Sequence, residues 1–182
     1  MILVVNVCRE KLHYYEFVKP IEDIVGGDFV TKHYLDLSSK DLENCSKVII
    51  CGTSLKDDEF VSDVEKFFWL KNFKKPVLGI CAGFQIIGLV FGARMERKRE
   101  IGYFKENFKK EFFGCVGEVE VYHLHNNCIS DFGDGWEIFS EGEIVQAARV
   151  KGRKIYGVLF HPEVRNREMI RGFAKLMVEG RW

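Results

Sequence analysis

The 182-residue sequence predicts an α/β protein: a doubly wound, mostly parallel sheet with helices on both faces, extended by a β-rich, partly antiparallel C-terminal half. Three observations lead there. The mainly apolar runs Ile2–Val7, Lys47–Cys51 and Val77–Ile80 have the composition of strands covered on both faces. Segments with helical spacing lie between them, and strand–helix alternation favours parallel strands joined by right-handed crossovers. Beyond Gly92 the apolar pattern changes to period two, broken by glycine-containing turns.

Taken in order, Ile2–Val7 opens the sheet, and a helix is expected over Tyr15–Val25, with Pro20 disturbing its middle. Gly26-Gly27 turns the chain into a second strand, Phe29–Leu37. Ser38-Ser39 can cap a short helical turn reaching Asn44. After the strand Lys47–Cys51, Asp57-Asp58 can cap a helix in which Phe60, Val61, Val64, Phe67, Phe68 and Lys71 recur at helical spacing, and Pro76 ends it. Val77–Ile80 is then a strand, Cys81 a corner and the run to Phe91 a helix. Strands follow at Glu118–His125, Trp136–Ser140, Ile144–Val150 and Lys154–Phe160. A last helix spans about Val164–Val178, with Met169, Ile170, Phe173, Leu176 and Met177 on one face. With no linker, repeat or low-complexity stretch in view, residues 1–182 are expected to form one domain.

Composition narrows the function classes. Lys+Arg and Asp+Glu are equal at 27 each, so no overall field favours nucleic acid or an anionic membrane. The six cysteines include no CxxC pair, which points to reduced thiols and a cytoplasmic setting rather than a disulfide framework. The start Met1-Ile2-Leu3-Val4 lacks the basic residues of a signal peptide. The apolar stretch Val77–Ala93 is shorter than the roughly 20 residues of a membrane span, and basic residues flank both of its ends.

Chemistry concentrates in two places. In Gly79-Ile80-Cys81-Ala82-Gly83, a cysteine between two near glycines sits where a strand turns into a helix. This is the arrangement of a nucleophile elbow. The helix start aims unpaired N–H groups and the positive end of its dipole at the turn, which favours a thiolate. Far along the chain, the strand Ile155–Phe160 runs into His161-Pro162-Glu163. A histidine at the carboxyl end of a buried strand, with an acid two residues on, can act as a base with its orienter.

Together, Leu78-Gly79-Ile80-Cys81-Ala82-Gly83-Phe84-Gln85 and Gly157-Val158-Leu159-Phe160-His161-Pro162-Glu163 resemble the class I (triad) glutamine amidotransferases. The resemblance extends in order and spacing over nearly the whole chain. It implies that Cys81 is the nucleophile, His161 the base and Glu163 its orienter. It also implies that Gln85 contacts the substrate glutamine, and that the segment Tyr122–Asn127, with His125 and Asn126, holds the substrate's α-amino and carboxylate ends. The oxyanion hole would be formed by the Ala82 N–H and by Gly52, in the loop after the strand Lys47–Cys51. Members usually carry a Gly-Gly pair in that loop, whereas this chain has Gly52-Thr53.

The implied activity is glutamine side-chain hydrolysis through a cysteine thioester, with ammonia passed to a separate synthetase, for instance one of GMP synthase type. No cofactor is implied. Two other readings stay open: a γ-glutamyl hydrolase acting without a partner, and a binding or regulatory subunit that has kept the fold and lost catalysis. His123 and His125, at i and i+2 on one strand face, could hold a metal, but no acidic or cysteine ligand falls at a telling spacing and no metal is expected. Basic residues between Arg94 and Glu111 (Arg94, Arg97, Lys98, Arg99, Lys105, Lys109, Lys110) mark either a docking face for the synthetase or a solvated surface.

Overall fold

The computed structural model describes residues 1–177. A seven-stranded sheet runs in the order β2-β1-β3-β4-β9-β8-β7. Its strands are β1 (Ile2–Asn6), β2 (Phe29–His33), β3 (Lys47–Ile50), β4 (Val77–Ile80), β7 (Trp136–Ile138), β8 (Ala147–Val150) and β9 (Ile155–Val158). From β2 to β9 every pairing is parallel, while β8 pairs antiparallel with both β9 and β7. β7 and β8 thus supply the antiparallel addition expected of the C-terminal half, while β9 joins the parallel part beside β4.

Two separate apolar cores explain why the parallel strands read as continuous apolar runs. Val4, Ile49, Leu78, Ile80, Tyr156 and Val158 face one core, which helices α1 (His13–Phe17), α2 (Lys19–Val25) and α6 (Arg167–Lys175) enclose with Phe17, Ile21, Met169, Ile170 and Phe173. Leu3, Val5, Val48, Ile50, Val77 and Ile155 face the other. There α4 (Glu59–Ser62), the 3-10 segment Val64–Lys71 and α5 (Ala82–Val90) contribute Phe60, Phe67, Leu70, Phe84 and Ile87. Neighbouring residues of each strand thus enter different cores, as the period of two requires. α3 (Ser39–Asn44) is closed by a full capping box between Ser38 and Asp41.

Several boundaries differ from the sequence expectation. The helix expected over Tyr15–Val25 is two helices meeting at Val18, with Pro20 in the first turn of the second, where its missing N–H costs nothing. The second strand stops at His33, because Tyr34–Asp36 turns as a 3-10 segment. The helix expected after Asp57-Asp58 is only Glu59–Ser62 followed by the 3-10 segment, and Asp58 makes no side-chain cap bond. The C-terminal helix begins at Arg167 rather than Val164 and ends at Lys175; the expected end at Val178 lies outside the described residues.

The largest correction concerns residues 94–130. They form a long antiparallel hairpin, β5 (Arg94–Phe112) with β6 (Cys115–Ser130), a sheet of its own that meets the main sheet at a bridge from Phe108 to Ser140. β5 is hard to see in the sequence because most of its residues are charged and exposed. The hairpin roots itself through Phe108, Phe112 and Phe113, which pack edge-on against Phe139, Tyr156, Phe160 and Phe173. Six of the sixteen phenylalanines serve this anchor.

Candidate active site

The carboxyl ends of the adjacent parallel strands β3, β4 and β9 meet at one point, as open α/β sheets place their sites. Cys81 follows β4 directly and adopts φ 49° and ψ −102°, a positive-φ conformation costly for a residue with a Cβ. Such a conformation costs on the order of 1–3 kcal/mol and persists where its surroundings over-determine it. The Cys81 N–H donates to the Val158 carbonyl at 2.8 Å, and its carbonyl accepts the Gln85 N–H at 3.0 Å. The corner is tight because α5 runs close over β3: a Cβ on Gly83 would come within 2.2 Å of the Ile50 carbonyl oxygen. That distance leaves room for glycine alone.

Cys81 is 4% exposed, and its Sγ–H points to the Leu124 carbonyl at 3.7 Å. His161, at the end of β9, is held by its N–H donating to the Tyr122 carbonyl at 2.8 Å. Its Nδ1 lies 2.7 Å from Glu163 Oε1, with both side chains buried. Nε2 has no hydrogen-bond partner among the described residues. Burial by itself would lower the His161 pKa, but the Glu163 carboxylate, and the thiol of Cys81 when ionised, outweigh it and hold the pKa well above the ordinary value.

Gly52 lies close against both the His161 imidazole and Cys81. A Cβ there would stand 2.6 Å from His161 Cε1 and 3.4 Å from Cys81 Cβ. The Gly52 carbonyl faces Cys8 Sγ at 3.9 Å. Thr53, where relatives of this motif usually carry a second glycine, is 3% exposed and its hydroxyl donates to Asp57 Oδ2 at 2.7 Å. Asp57 also accepts from the Arg9 N–H at 3.1 Å and pairs with His13 Nδ1 at 2.8 Å. Burial alone would raise the Asp57 pKa; the bonds from Thr53, His13 and Arg9 more than offset this and lower it. The loop is therefore fixed by a carboxylate that holds three donors. Sequence reasoning misses this network, since only the fold brings Arg9 and His13 to Asp57.

A cleft opens beside Cys81, lined among others by Thr53, Leu55, Ala82, Gln85, Leu124 and Asn126. Ala82 begins α5, and the N–H groups of a helix's first turn have no partner within it. Gln85 is buried and its amide nitrogen donates to the Asn127 carbonyl at 2.8 Å, tying α5 to β6. The Asn126 amide nitrogen donates across the cleft to the Leu55 carbonyl at 3.1 Å. His125 also borders the cleft, but both of its ring nitrogens turn toward β5, where Nδ1 meets the Lys98 carbonyl at 3.2 Å and Nε2 meets Glu100 at 3.0 Å. The polar groups it can offer the cleft are those of its main chain.

The basic segment expected as a docking or solvated face is the exposed strand β5. Arg94, Lys98, Lys105 and Lys110 pair there with Asp131, Glu143, Glu118 and Glu137. Among the described residues, no helix is long and apolar enough to cross a membrane. The apolar run after Cys81 is instead the buried helix α5.

The family described as "Glutamine amidotransferase class-I" matches residues 25–177 of this chain. A GMP synthase (glutamine-hydrolyzing) of Staphylococcus saprophyticus is 30% identical over 173 residues, covering 86% of this chain and 33% of that protein. The enzyme of the same description from Staphylococcus epidermidis matches over the same shares. The chain thus spans about a third of the length of the curated relatives it matches. Among solved structures, a candidate GMP synthase component from Thermoplasma acidophilum superposes with a TM-score of 0.83 at 26% identity, over 95% of this chain and 91% of that one. A glutamine amidotransferase from Thermotoga maritima shares the fold, with a TM-score of 0.67 at 24% identity over 93% and 79% of the two chains.

Proposed function

The chain belongs to the class-I glutamine amidotransferases, and from that premise we propose that Cys81, His161 and Glu163 hydrolyse the side-chain amide of glutamine and that the ammonia serves a GMP synthase-type synthetase. The observation that carries this reading is the meeting of Cys81, at the end of β4, with a buried imidazole–carboxylate pair at the end of β9. In that pair His161 and Glu163 stand 2.7 Å apart.

In this reading the Cys81 thiolate attacks the side-chain carbonyl carbon of glutamine. The resulting oxyanion lies against the Ala82 N–H and the loop at Gly52. The imidazolium of His161 gives its proton to the leaving nitrogen, ammonia departs and a γ-glutamyl thioester remains on Cys81. His161, now neutral, takes a proton from water as the water attacks the thioester. Glutamate leaves and the thiolate–imidazolium pair is restored. Glu163 holds the ring orientation and its positive charge throughout. Thr53 does not obstruct this, because its side chain is drawn away to Asp57.

Cys81→Ala is expected to abolish glutamine hydrolysis, and a chloroketone analogue of glutamine to label Cys81 alone among the cysteines. Retention of wild-type hydrolysis by the folded variant, with a GMP synthase-type synthetase present, would rule the assignment out.

A further inference from the structure

Away from the thiol, on the hairpin, a second cluster converges with a chemistry that glutamine hydrolysis does not use. His123 and His125 are buried on one face of β6, and Glu100 lies opposite His125 across the β5–β6 ladder. His123 Nδ1 stands 3.3 Å from His125 Nε2, His125 Nε2 is 3.0 Å from Glu100 Oε2, and His123 Nδ1 is 3.4 Å from the same oxygen. For bonds of about 2.0–2.1 Å in a tetrahedron, neighbouring ligand atoms stand about 3.3–3.4 Å apart. The three atoms form a triangle with edges of 3.3, 3.4 and 3.0 Å, two of that length and one somewhat shorter.

The outer partners match as well. His123 Nε2 lies 3.1 Å from Glu106 Oε1, and His125 Nδ1 lies 3.2 Å from the Lys98 carbonyl oxygen. Each outer nitrogen faces an oxygen that can only accept, so each must carry the hydrogen. In the neutral rings the inner nitrogens, His123 Nδ1 and His125 Nε2, are then bare lone pairs. They point at each other and at a carboxylate oxygen, three acceptors together in a buried space. The Gln146 amide nitrogen donates to Glu100 Oε2 at 3.0 Å, which relieves one of the three, while its own Oε1 is buried without a partner among the described residues. Such a convergence calls for a cation at its centre. Histidines whose other nitrogen is held by a carboxylate or a backbone carbonyl are the usual form of a metal-bound imidazole.

We infer that His123, His125 and Glu100 bind one divalent transition metal ion, with zinc the best fit to two imidazoles and one carboxylate. Its place in the fold sets its effect. Leu124, between the two histidines, carries the carbonyl that meets Cys81 Sγ, so the ion would brace the strand that faces the nucleophile. The sequence shows the histidine pair but not Glu100, because the third ligand lies 23 residues upstream on the strand that pairs with them.

The experiment loads the full chain with Co²⁺ alone, reading the visible absorption of tetrahedral cobalt and the stoichiometry at equilibrium, followed by displacement with Zn²⁺. Expected are one Co²⁺ per chain with the tetrahedral spectrum, and the same binding in Cys81→Ala. His123→Gln should lose it, and Glu106→Gln should weaken it by roughly 10–100-fold, as loss of an outer partner does. Should His123→Gln fail to fold, Glu106→Gln decides, since it keeps all three ligands. Less than one Co²⁺ per chain overturns the inference and leaves a shared proton as the cation of the cluster. A thiolate-to-cobalt absorption band, or wild-type affinity in folded Glu106→Gln, overturns it equally.

Discussion

At the scale of single residues, the charge on His161 decides most of the candidate site's behaviour. Its pKa is raised in the fold, against burial, because the Glu163 carboxylate is 2.7 Å away. A raised pKa contributes stability that is complete below the unfolded value of about 6.5 and is lost as pH climbs through the folded value. In Glu163→Gln, burial is left as the main influence, the pKa falls and the ring charges only at a cost. The stability gap between wild type and Glu163→Gln should therefore be widest near pH 6 and narrow toward alkaline pH, read as thermal midpoints across that range. The same variant should lose roughly 10²–10⁴-fold in turnover, the usual worth of a working acid–base group. Gly52 tests the neighbouring space. In Gly52→Ala the new Cβ would need the place of His161 Cε1, 2.6 Å away, so the imidazole must move. Turnover is expected to fall by about 10²-fold or more, since small displacements of a catalytic group cost that much, while circular dichroism stays native.

At the scale of elements, the elbow depends on how closely α5 lies over β3. Replacing Gly83 by alanine gains up to about 1 kcal/mol of helix propensity. It also forces a methyl group to 2.2 Å from the Ile50 carbonyl oxygen, a backbone atom that cannot rotate away. Overpacking of this kind costs typically about 1–3 kcal/mol. The clash should win, and Gly83→Ala should lower the denaturant midpoint with the slope unchanged. The loop after β3 behaves as an element in its own right, held by Asp57 through Thr53, His13 and the Arg9 N–H. Thr53→Val removes one donor from a carboxylate that keeps two others. About 1.5–3 kcal/mol of stability should go, the range for a bond to a charged group, measured by denaturant unfolding.

At the scale of the whole molecule, two cores on either side of one sheet hold the strand ends in register, and the hairpin stands apart from that sheet. The ion pairs of Arg94, Lys98, Lys105 and Lys110 are exposed and cancel much of the positive charge of β5. Pairs of this type contribute roughly 0–1 kcal/mol each, so they solvate the hairpin more than they stabilise it. If ammonia is handed to a synthetase, adding a GMP synthase-type synthetase should raise glutamine turnover, and isotope from the amide nitrogen should appear in the synthetase product. Equal turnover with and without that synthetase would favour a hydrolase that acts alone.

What the sequence by itself determined is everything carried by local pattern. Apolar runs marked β1, β3 and β4, the Gly79-Ile80-Cys81-Ala82-Gly83 corner marked the strand-to-helix turn, and the His161-Pro162-Glu163 ending marked the close of a buried strand. The helix break near Pro20 and a cap at Ser38 were legible for the same reason: each acts within a few residues of itself. Tertiary structure alone decided where distant residues meet. β5 could not be read, because a strand that is charged and exposed for most of its length lacks the apolar period that marks strands. The Asp57 network and the Glu100–His123–His125 cluster stayed hidden because each draws a member, His13 or Glu100, from a different element. Backbone pattern is written along the chain. Convergence of side chains is a property of the closed fold, set by strand order and register, and no neighbouring residue encodes it.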